Sequence, residues 1–277
     1  MTVSRATPLV ALAGLVLAVA AGCGAPEEVG ALEESVIGGA LDTGDPAVVL
    51  LFAQKPNSNQ GYLCSGTLVS PTVVLTAAHC VSSQVVGPNV SFSVFVGQDW
   101  NKPSGDSWTD VKEVHWDAQF DINNLGAGHD IAVAILAKAL SIAPVPINRT
   151  PLDRTLVGKA TRVVGFGATE GKNRTGVGVK RTVTTKLDDY SALLVHVGDS
   201  AHQSCEGDSG GPALMTLNGV ETLVGITSYG QAGCVEGGYH TRVDAYTSFL
   251  NLYLMSGTGA VTVTAKSMPR SLARKTN

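Results

Sequence analysis

The feature that most constrains the fold is a series of short β-branched or alternating apolar runs, separated by turns rich in Gly, Pro, Asn and Ser. Such runs are typical of strands, whereas an amphipathic helix needs apolar residues three and four positions apart. That helical spacing first occurs in residues 244–254. The pattern therefore predicts an all-β barrel or sandwich closed by a C-terminal helix. The predicted strand runs are 48–52, 66–75, 90–97, 131–136, 161–167, 179–187 and 222–228.

Composition and charge exclude some classes of function. Hydrophobic residues make up 44% of the 277 positions, which is enough for a large core and excludes a disordered chain. The formal net charge is −4, and surfaces that bind phosphate backbones are normally basic. We therefore expect no nucleic-acid partner.

The N-terminus is predicted to be a secretory signal peptide, residues 1–22. Arg5 precedes an uncharged run, residues 8–22, that is mostly Leu, Val and Ala. A run of this length is shorter than the ~20 residues of a membrane-spanning helix. The mature protein is therefore expected to be secreted, to the extracellular space or the periplasm.

Cys23 follows directly in the sequence Ala20-Ala21-Gly22-Cys23, which resembles a bacterial lipobox. In that interpretation Cys23 becomes the lipidated first residue and anchors a bacterial protein to a membrane. Ala20 stands where the lipobox usually has Leu, so ordinary cleavage after a small residue stays open. No other membrane contact is expected.

The rest of the chain divides into three parts. Residues 23–35 form an acidic spacer or propeptide, residues 36–255 form the folded body, and residues 256–277 form a basic tail with no assigned function. The turn-forming residues 144–151 are the best candidate for a linker between two halves of the body.

Four further cysteines lie in the body, at Cys64, Cys80, Cys205 and Cys234. Behind a signal peptide, cysteines are more often paired than bound to metal. Four cysteines allow three pairings, and the spacing alone leaves all three open. The chain has no CxxC or HExxH sequence. Neither a metal nor a cofactor is expected.

Residues 207–212, with the sequence GDSGGP, contain a candidate nucleophile, Ser209. A serine hydroxyl is a poor nucleophile unless a base takes its proton and N–H donors receive the oxyanion. The glycines permit a tight turn in which the N–H groups of Gly207 and Ser209 point into one pocket. This turn needs a base and an orienting carboxylate elsewhere in the chain.

Two other segments offer those groups. His79 lies in residues 76–80, TAAHC, after a strand-like run. Asp130 opens an apolar strand in residues 129–134, HDIAVA, where an unpaired carboxylate would be costly to bury. Accepting the imidazole N–H of His79 would compensate that cost.

These three segments, in the order His, Asp, Ser, resemble the chymotrypsin/trypsin-like serine proteases over about residues 36–255. The resemblance implies two six-stranded antiparallel β-barrels, at about 36–147 and 148–245, and a C-terminal helix at about 244–255. His79 would act first as general base and then as general acid. Asp130 would hold the imidazole of His79 in the correct tautomer. Ser209 would attack polypeptide substrates, with Gly207 and Ser209 as the oxyanion hole.

The same resemblance assigns several other residues. It implies the disulfides Cys64–Cys80 and Cys205–Cys234. It also makes the segment Ser228-Tyr229-Gly230 an edge that pairs with the substrate as an added strand.

Residues 36–39, VIGG, resemble the mature N-terminus of the family. Cleavage before Val36 would free an ammonium group that inserts and pairs with Asp208, so that activation acts as a switch. Ser35 stands where the family usually has Arg or Lys. We therefore expect an activating protease unlike trypsin.

The specificity pocket is predicted from three positions. Gln203, six residues before Ser209, corresponds to the pocket base, where trypsin-like members have Asp. Gly230 and Gly238 correspond to the pocket walls and leave room for a sizeable side chain. We expect a neutral residue at P1, polar or medium apolar, rather than Arg or Lys.

Two other functions are alternatives to this interpretation. Gly207-x-Ser209-x-Gly211 also fits the nucleophile elbow of α/β-hydrolases, but that fold needs alternating helices, which the sequence lacks. The other alternative is a secreted, protease-like binding protein without activity.

Overall fold

The computed structural model describes residues 36–254 except Asn59 and Asp106. The predicted signal peptide, Cys23, the spacer and the basic tail lie outside the described residues. The strands within the described part are β1 (Ala40–Leu41), β2 (Val48–Gln54), β3 (Gly61–Ser70), β4 (Val73–Thr76), β5 (Ser91–Phe95), β6 (Trp108–Trp116), β7 (Ala132–Leu136), β8 (Ala160–Gly165), β9 (Arg181–Tyr190), β10 (Leu194–Val197), β11 (Pro212–Leu217), β12 (Val220–Gly230) and β13 (Gly238–Arg242). The α-helices are α1 (Ser83–Val86) and α2 (Thr247–Leu254).

Strands β2 to β7 form the first barrel, in the order β2-β3-β4-β7-β6-β5. The barrel closes because β5 also pairs with β2, and every pair is antiparallel. Nearly all side chains of β2, β4 and β7 are buried, on both faces of the sheet, and they form the core of this barrel. Closure leaves this sheet without an unpaired edge.

Strands β8 to β13 form the second barrel, in the order β9-β10-β13-β12-β11-β8. Pairing of β8 with β9 closes it, and β1 adds to β9 from outside. The prediction of two six-stranded antiparallel barrels is therefore confirmed. Since an α/β-hydrolase needs a parallel sheet flanked by helices, this architecture excludes that alternative.

The predicted C-terminal helix is present as α2, preceded by one 3₁₀ turn, Asp244–Tyr246. Its buried residue Leu250 packs into the large hydrophobic cluster that also contains residues of both barrels. None of the helices in the described part of the chain is long and apolar enough to cross a membrane.

One predicted run was wrong in its extent. Residues 66–75 were predicted as a single strand, but a turn at Pro71 and Thr72 divides the segment into the end of β3 and the whole of β4. Proline fixes its own φ angle and has no N–H for the ladder, so it breaks the strand. Five strands were not predicted at all: β1, β6, β10, β11 and β13.

The two barrels pack against each other through apolar side chains. Phe95 at the end of β5 and Phe166 just after β8 make an edge-to-face contact, with ring centroids 6.4 Å apart. Both rings are fully buried. The turns that follow β4 and precede β7 and β11 contain the candidate site residues.

Candidate active site

His79 and Asp130 are brought together by the pairing of β4 with β7. His79 lies in a 3₁₀ turn, Ala78–Cys80, just after β4, and Asp130 lies just before β7. Because Thr76 pairs with Ala132, these two strand ends are adjacent. His79 Nδ1 lies 2.7 Å from Asp130 Oδ2, and the backbone N–H of His79 donates to Oδ1 over 2.9 Å.

Asp130 is fully buried, and its carboxylate is held by more than the imidazole. The hydroxyl of Ser228 donates to Asp130 Oδ2 over 2.5 Å. Burial by itself would raise the pKa of Asp130, but the charge of His79 and the hydrogen bonds from His79 and Ser228 hold this pKa below its ordinary value. The carboxylate therefore stays ionised at neutral pH and fixes the orientation of the imidazole.

Ser209 lies in the turn that leads from Cys205 into β11. Its carbonyl oxygen accepts the N–H of Ser65 over 2.8 Å and lies 3.7 Å from the sulfur of Cys80, the neighbour of His79. In the described part of the chain, no hydrogen bond joins the Ser209 hydroxyl to His79. Catalytic hydrogen bonds often tighten only when substrate is bound.

The turn around Ser209 depends on glycine at Gly207 and Gly210. Their φ angles are +98° and +80°, a region that other residues rarely adopt. A Cβ atom at Gly210 would also lie 2.1 Å from Thr76 Oγ1 and 2.4 Å from the Ser65 carbonyl oxygen. Glycine therefore allows the turn to approach the first barrel closely.

Ser65 is a site residue that the sequence analysis missed. It is fully buried in β3, accepts the N–H of Phe166 over 3.0 Å and donates to the carbonyl oxygen of Gly207 over 2.9 Å. It thereby connects both barrels with the turn that carries Ser209. Its position beside Cys64 in an apolar strand was the only sequence signal.

Two disulfides flank the site, Cys64–Cys80 and Cys205–Cys234, which is the pairing that the resemblance implies. The first lies beside His79. Its two sulfurs and the imidazole lie within 4.8 Å of one another, but bonded sulfurs are not thiolate ligands for a metal. The second joins the turn before Ser209 to the segment between β12 and β13.

A cavity of about 220 Å³ opens beside Ser209. Its lining includes the predicted pocket residues Gln203, Ser228, Tyr229 and Gly230. Gln203 is fully buried, and its side-chain oxygen accepts the N–H of Gly237 over 2.9 Å. The hydroxyl of Ser228, in contrast, is engaged with Asp130.

The predicted wall residue Gly238 faces Gly230 across the β12–β13 pair. A Cβ atom at Gly238 would lie 2.7 Å from the hydroxyl oxygen of Ser204, another residue of the cavity lining. Gly238 itself is not among the residues that line the cavity, so a larger residue there would act on the pocket only by displacing Ser204.

The predicted substrate edge is the last part of β12. Strand β11 pairs with β12 as far as Ile226, whereas β12 itself continues to Gly230. The backbone of residues 228–230 extends past its neighbour on that side. Tyr229 is stacked on Tyr239 of β13, with ring centroids 4.8 Å apart, and this contact steadies the segment.

The predicted activation residues lie in the second barrel. Val36 is fully buried in the cluster that includes Val163 and Val195, and the next residue, Ile37, pairs with Gln203. Asp208 is fully buried, and its carboxylate accepts the N–H groups of Gly167 and Cys205, each over 2.8 Å.

Burial dominates the titration of the Asp208 carboxyl, although the positive charge of Arg181 acts against it. Burial raises the pKa of Asp208 to about 7, although the backbone hydrogen bonds act in the opposite direction. The carboxylate is therefore in a site that favours a neutral acid or the arrival of a positive charge.

Comparison with known proteins agrees with this fold. The family model described as Trypsin matches residues 42–250. Chymotrypsin-like elastase family member 1 of Bos taurus is 29% identical over 220 residues, which cover 71% of this chain and 80% of that protein. CLIP domain-containing serine protease B9 of Anopheles gambiae is 30% identical over 239 residues, which cover 74% of this chain and 59% of that protein. Melanization protease 1 of Drosophila melanogaster is 28% identical over 253 residues, which cover 74% of this chain and 61% of that protein.

The chain is therefore a serine endopeptidase that acts on polypeptides. It belongs to the trypsin family, and the predicted resemblance is thereby confirmed.

Proposed function

We propose that this endopeptidase cleaves peptide bonds through an acyl-enzyme formed on Ser209, with His79 as base and Asp130 as its orienting carboxylate. The observation that carries the proposal is the 2.7 Å contact between His79 Nδ1 and Asp130, in a site whose disulfide sulfur touches the Ser209 backbone. An imidazole held at Nδ1 by a carboxylate has its Nε2 free to take a proton.

The reaction proceeds in two halves. Ser209 Oγ attacks the scissile carbonyl carbon while its proton passes to His79 Nε2, and the imidazolium then protonates the leaving amine. A water molecule repeats the attack on the acyl-enzyme with His79 again as base. The N–H groups of Gly207 and Ser209 stabilise the oxyanion in both halves.

Substrate binds as an extra strand along Ser228, Tyr229 and Gly230, which places its P1 side chain in the cavity above Gln203. The lack of a carboxylate at this position supports a neutral P1 residue rather than Arg or Lys. In trypsin-like members, an Asp there compensates the buried cation.

Activation and export complete the proposal. The chain is secreted through the signal peptide 1–22, and Cys23 is either a lipidated anchor or lost by ordinary cleavage. A protease unlike trypsin then cleaves before Val36. The new ammonium group pairs with Asp208 and stabilises the charged form of this buried carboxylate.

Covalent labelling of Ser209 tests the catalytic part of the proposal. A diphenyl phosphonate or sulfonyl fluoride should add one equivalent to the processed protein, shift the mass of the peptide that contains Ser209, and abolish peptide cleavage. The Ser209→Ala variant should bind none. A processed protein that cleaves peptides while Ser209 stays unlabelled would overturn the assignment, and an unlabelled, inactive one would favour the binding-protein alternative.

The activation step has its own test. N-terminal sequencing of the secreted, active protein should begin at Val36, and the Ser35→Arg variant should become activatable by added trypsin. Intact mass of the precursor, purified before this cleavage, reports the state of Cys23. Full activity with an intact bond before Val36 would contradict the activation mechanism.

A further inference from the structure

The floor of the cavity beside Ser209 carries a hydrogen-bond donor without an acceptor. Gln203 contributes to the lining, and within the described residues its Nε2 atom is buried and has no hydrogen-bond partner. A buried amide group left without a partner costs free energy, so native proteins rarely tolerate one away from a ligand site.

The orientation of that amide is fixed by its other end. The Oε1 atom of Gln203 accepts the N–H of Gly237 over 2.9 Å. Turning the amide over would place NH₂ against that N–H, donor against donor, and leave Gly237 unsatisfied. The two N–H groups on Nε2 of Gln203 are therefore the unpaired end of the amide among the described residues, and they need a hydrogen-bond acceptor.

Within the described part of the chain, a second buried nitrogen without a partner lies near Gly238, outside the lining of the cavity. His240 is fully buried, its Nδ1 lies 3.2 Å from Thr227 Oγ1, and its Nε2 has no partner among the described residues. A Cβ atom at Gly238 would lie 3.6 Å from this Nε2 and 2.7 Å from Ser204 Oγ. Of these two polar groups near Gly238, only that of Ser204 belongs to a residue of the cavity lining.

The groups in and near the cavity disfavour the binding of an ionised P1 side chain. Burial lowers the pKa of His240 to about 3, so the imidazole is neutral and supplies no cation for a carboxylate. Glu206, also in the lining, forms an ion pair with Arg174 at the rim. A Lys or Arg side chain at P1 would meet the N–H donors of Gln203 instead of a hydrogen-bond acceptor.

We propose that this pocket selects a neutral P1 side chain, glutamine above all, whose terminal carbonyl oxygen accepts hydrogen bonds from Gln203 Nε2. Asparagine offers the same group on a shorter stem and ranks second. The inference rests on the proposed function and names its substrate class.

Cleavage-site mapping gives the first test. The processed enzyme is incubated with a denatured protein, and the new termini are identified by mass spectrometry. Matched peptides with Gln, Asn, Glu, Leu, Met or Lys at P1 then give kcat/KM values. We expect Gln to exceed its near-isosteres Met and Glu at least tenfold, because those analogues lose a hydrogen bond or bury a charge. Equal rates for Gln, Met and Leu would overturn the inference.

Two variants locate the effect at the pocket floor. Gln203→Glu keeps an oxygen for the Gly237 N–H but replaces the NH₂, so P1 Gln should lose at least tenfold in kcat/KM while P1 Lys gains. Gln203→Met removes both polar groups, and P1 Gln should fall to the level of P1 Leu. Gln98→Glu, the same change at an exposed position of the first barrel, should leave the P1 order unchanged.

The failure of this inference is distinguishable from failure of the proposed function. If the phosphonate labels Ser209 and peptides are cut after Leu or Lys in preference to Gln, the pocket inference alone is wrong. If Ser209 is not labelled, the catalytic proposal itself fails. Retained P1 Gln preference in Gln203→Met would show that other groups make the selection.

Discussion

The side-chain hydroxyl of Ser65 donates to the carbonyl oxygen of Gly207 over 2.9 Å, although the two residues are 142 positions apart in the chain. The same hydroxyl oxygen accepts the N–H of Phe166, and the backbone N–H of Ser65 donates to the carbonyl of Ser209. Two hydrogen bonds of Ser65 thus hold the turn that presents the proposed oxyanion donors, and the third connects Ser65 to the segment after β8. We assign Ser65 as a positioning residue.

Replacing Ser65 with Ala should lower kcat about tenfold and leave KM within about twofold. The change removes a donor to Gly207 and an acceptor for Phe166, so the turn is free to move away from the geometry that binds the oxyanion. It should also destabilise the fold by about 1–3 kcal/mol, the cost of leaving buried polar groups unpaired. Steady-state kinetics well below the midpoint of thermal unfolding measure the catalytic effect.

A buried hydroxyl elsewhere gives the matched control. Thr161 is fully buried in β8 and donates to the carbonyl of Lys159. Thr161→Val should cost stability without changing kcat. If Ser65→Ala lowers stability and leaves kcat unchanged, Ser65 has a structural role only.

Most of the fold could be predicted because its strands carry local signals. Strands β2, β5, β7, β8, β9 and β12 lie in runs of β-branched or alternating residues, which reflect burial of one face. Strand β6, with the sequence WTDVKEVHW, is mostly half-buried or exposed, and its charged residues hide the alternation. Strand β11 begins inside the glycine-rich turn of Ser209, where the turn signal masks the strand.

The site was predictable in part, for a related reason. Asp130 could be predicted as a site residue because a carboxylate at the start of an apolar strand needs a hydrogen-bond partner, and the imidazole of His79 can provide one. Contacts made by uncharged residues leave no such trace. The hydroxyls of Ser65 and Ser228 find their partners only through pairing between distant strands, which local sequence patterns do not contain.

Asp130→Asn should lower kcat by about 10³–10⁴-fold with a small change in KM. The amide keeps the shape of the carboxylate but cannot hold the imidazole tautomer that leaves Nε2 free, nor stabilise the imidazolium. The size of this effect is the one known for serine protease triads in general. Active-site titration should be run alongside, so that the loss is referred to folded enzyme.

The same substitution at a second Asp–His pair is the control. Asp188 lies on the surface, 3.2 Å from His196 Nδ1. Asp188→Asn should leave kcat within about twofold. A loss of less than about tenfold in Asp130→Asn would contradict the assignment of Asp130 as the orienting carboxylate.

Removing the disulfide Cys205–Cys234 should weaken both the fold and substrate binding. Replacing both cysteines with Ser should lower the free energy of unfolding by about 3 kcal/mol, since the bond closes a loop of 29 residues. Both cysteines line the cavity beside Ser209, so KM should rise more than kcat falls. Urea unfolding and steady-state kinetics check the two parts, and an unchanged KM would show that the cavity keeps its shape without the bond.

The buried carboxylate of Asp208 should make the uncleaved protein less stable as pH rises. Its pKa is raised to about 7 in the folded state, against 3.8 for an ordinary Asp side chain. Between these values the folded protein holds a proton that the unfolded chain has released, so the free energy of unfolding falls with pH. The full effect is roughly 4 kcal/mol, reached once the pH exceeds the folded-state pKa.

Cleavage before Val36 should reverse this behaviour. An ammonium group beside Asp208 stabilises the charged carboxylate and lowers its pKa, so the loss of stability between pH 4 and 7 should shrink or disappear. Urea unfolding from pH 4 to 8, performed on a Ser209→Ala protein before and after cleavage, measures both curves. The uncleaved Asp208→Asn variant removes the titrating group and corrects for all other residues. If that variant loses as much stability with pH as the parent, Asp208 is not the group responsible.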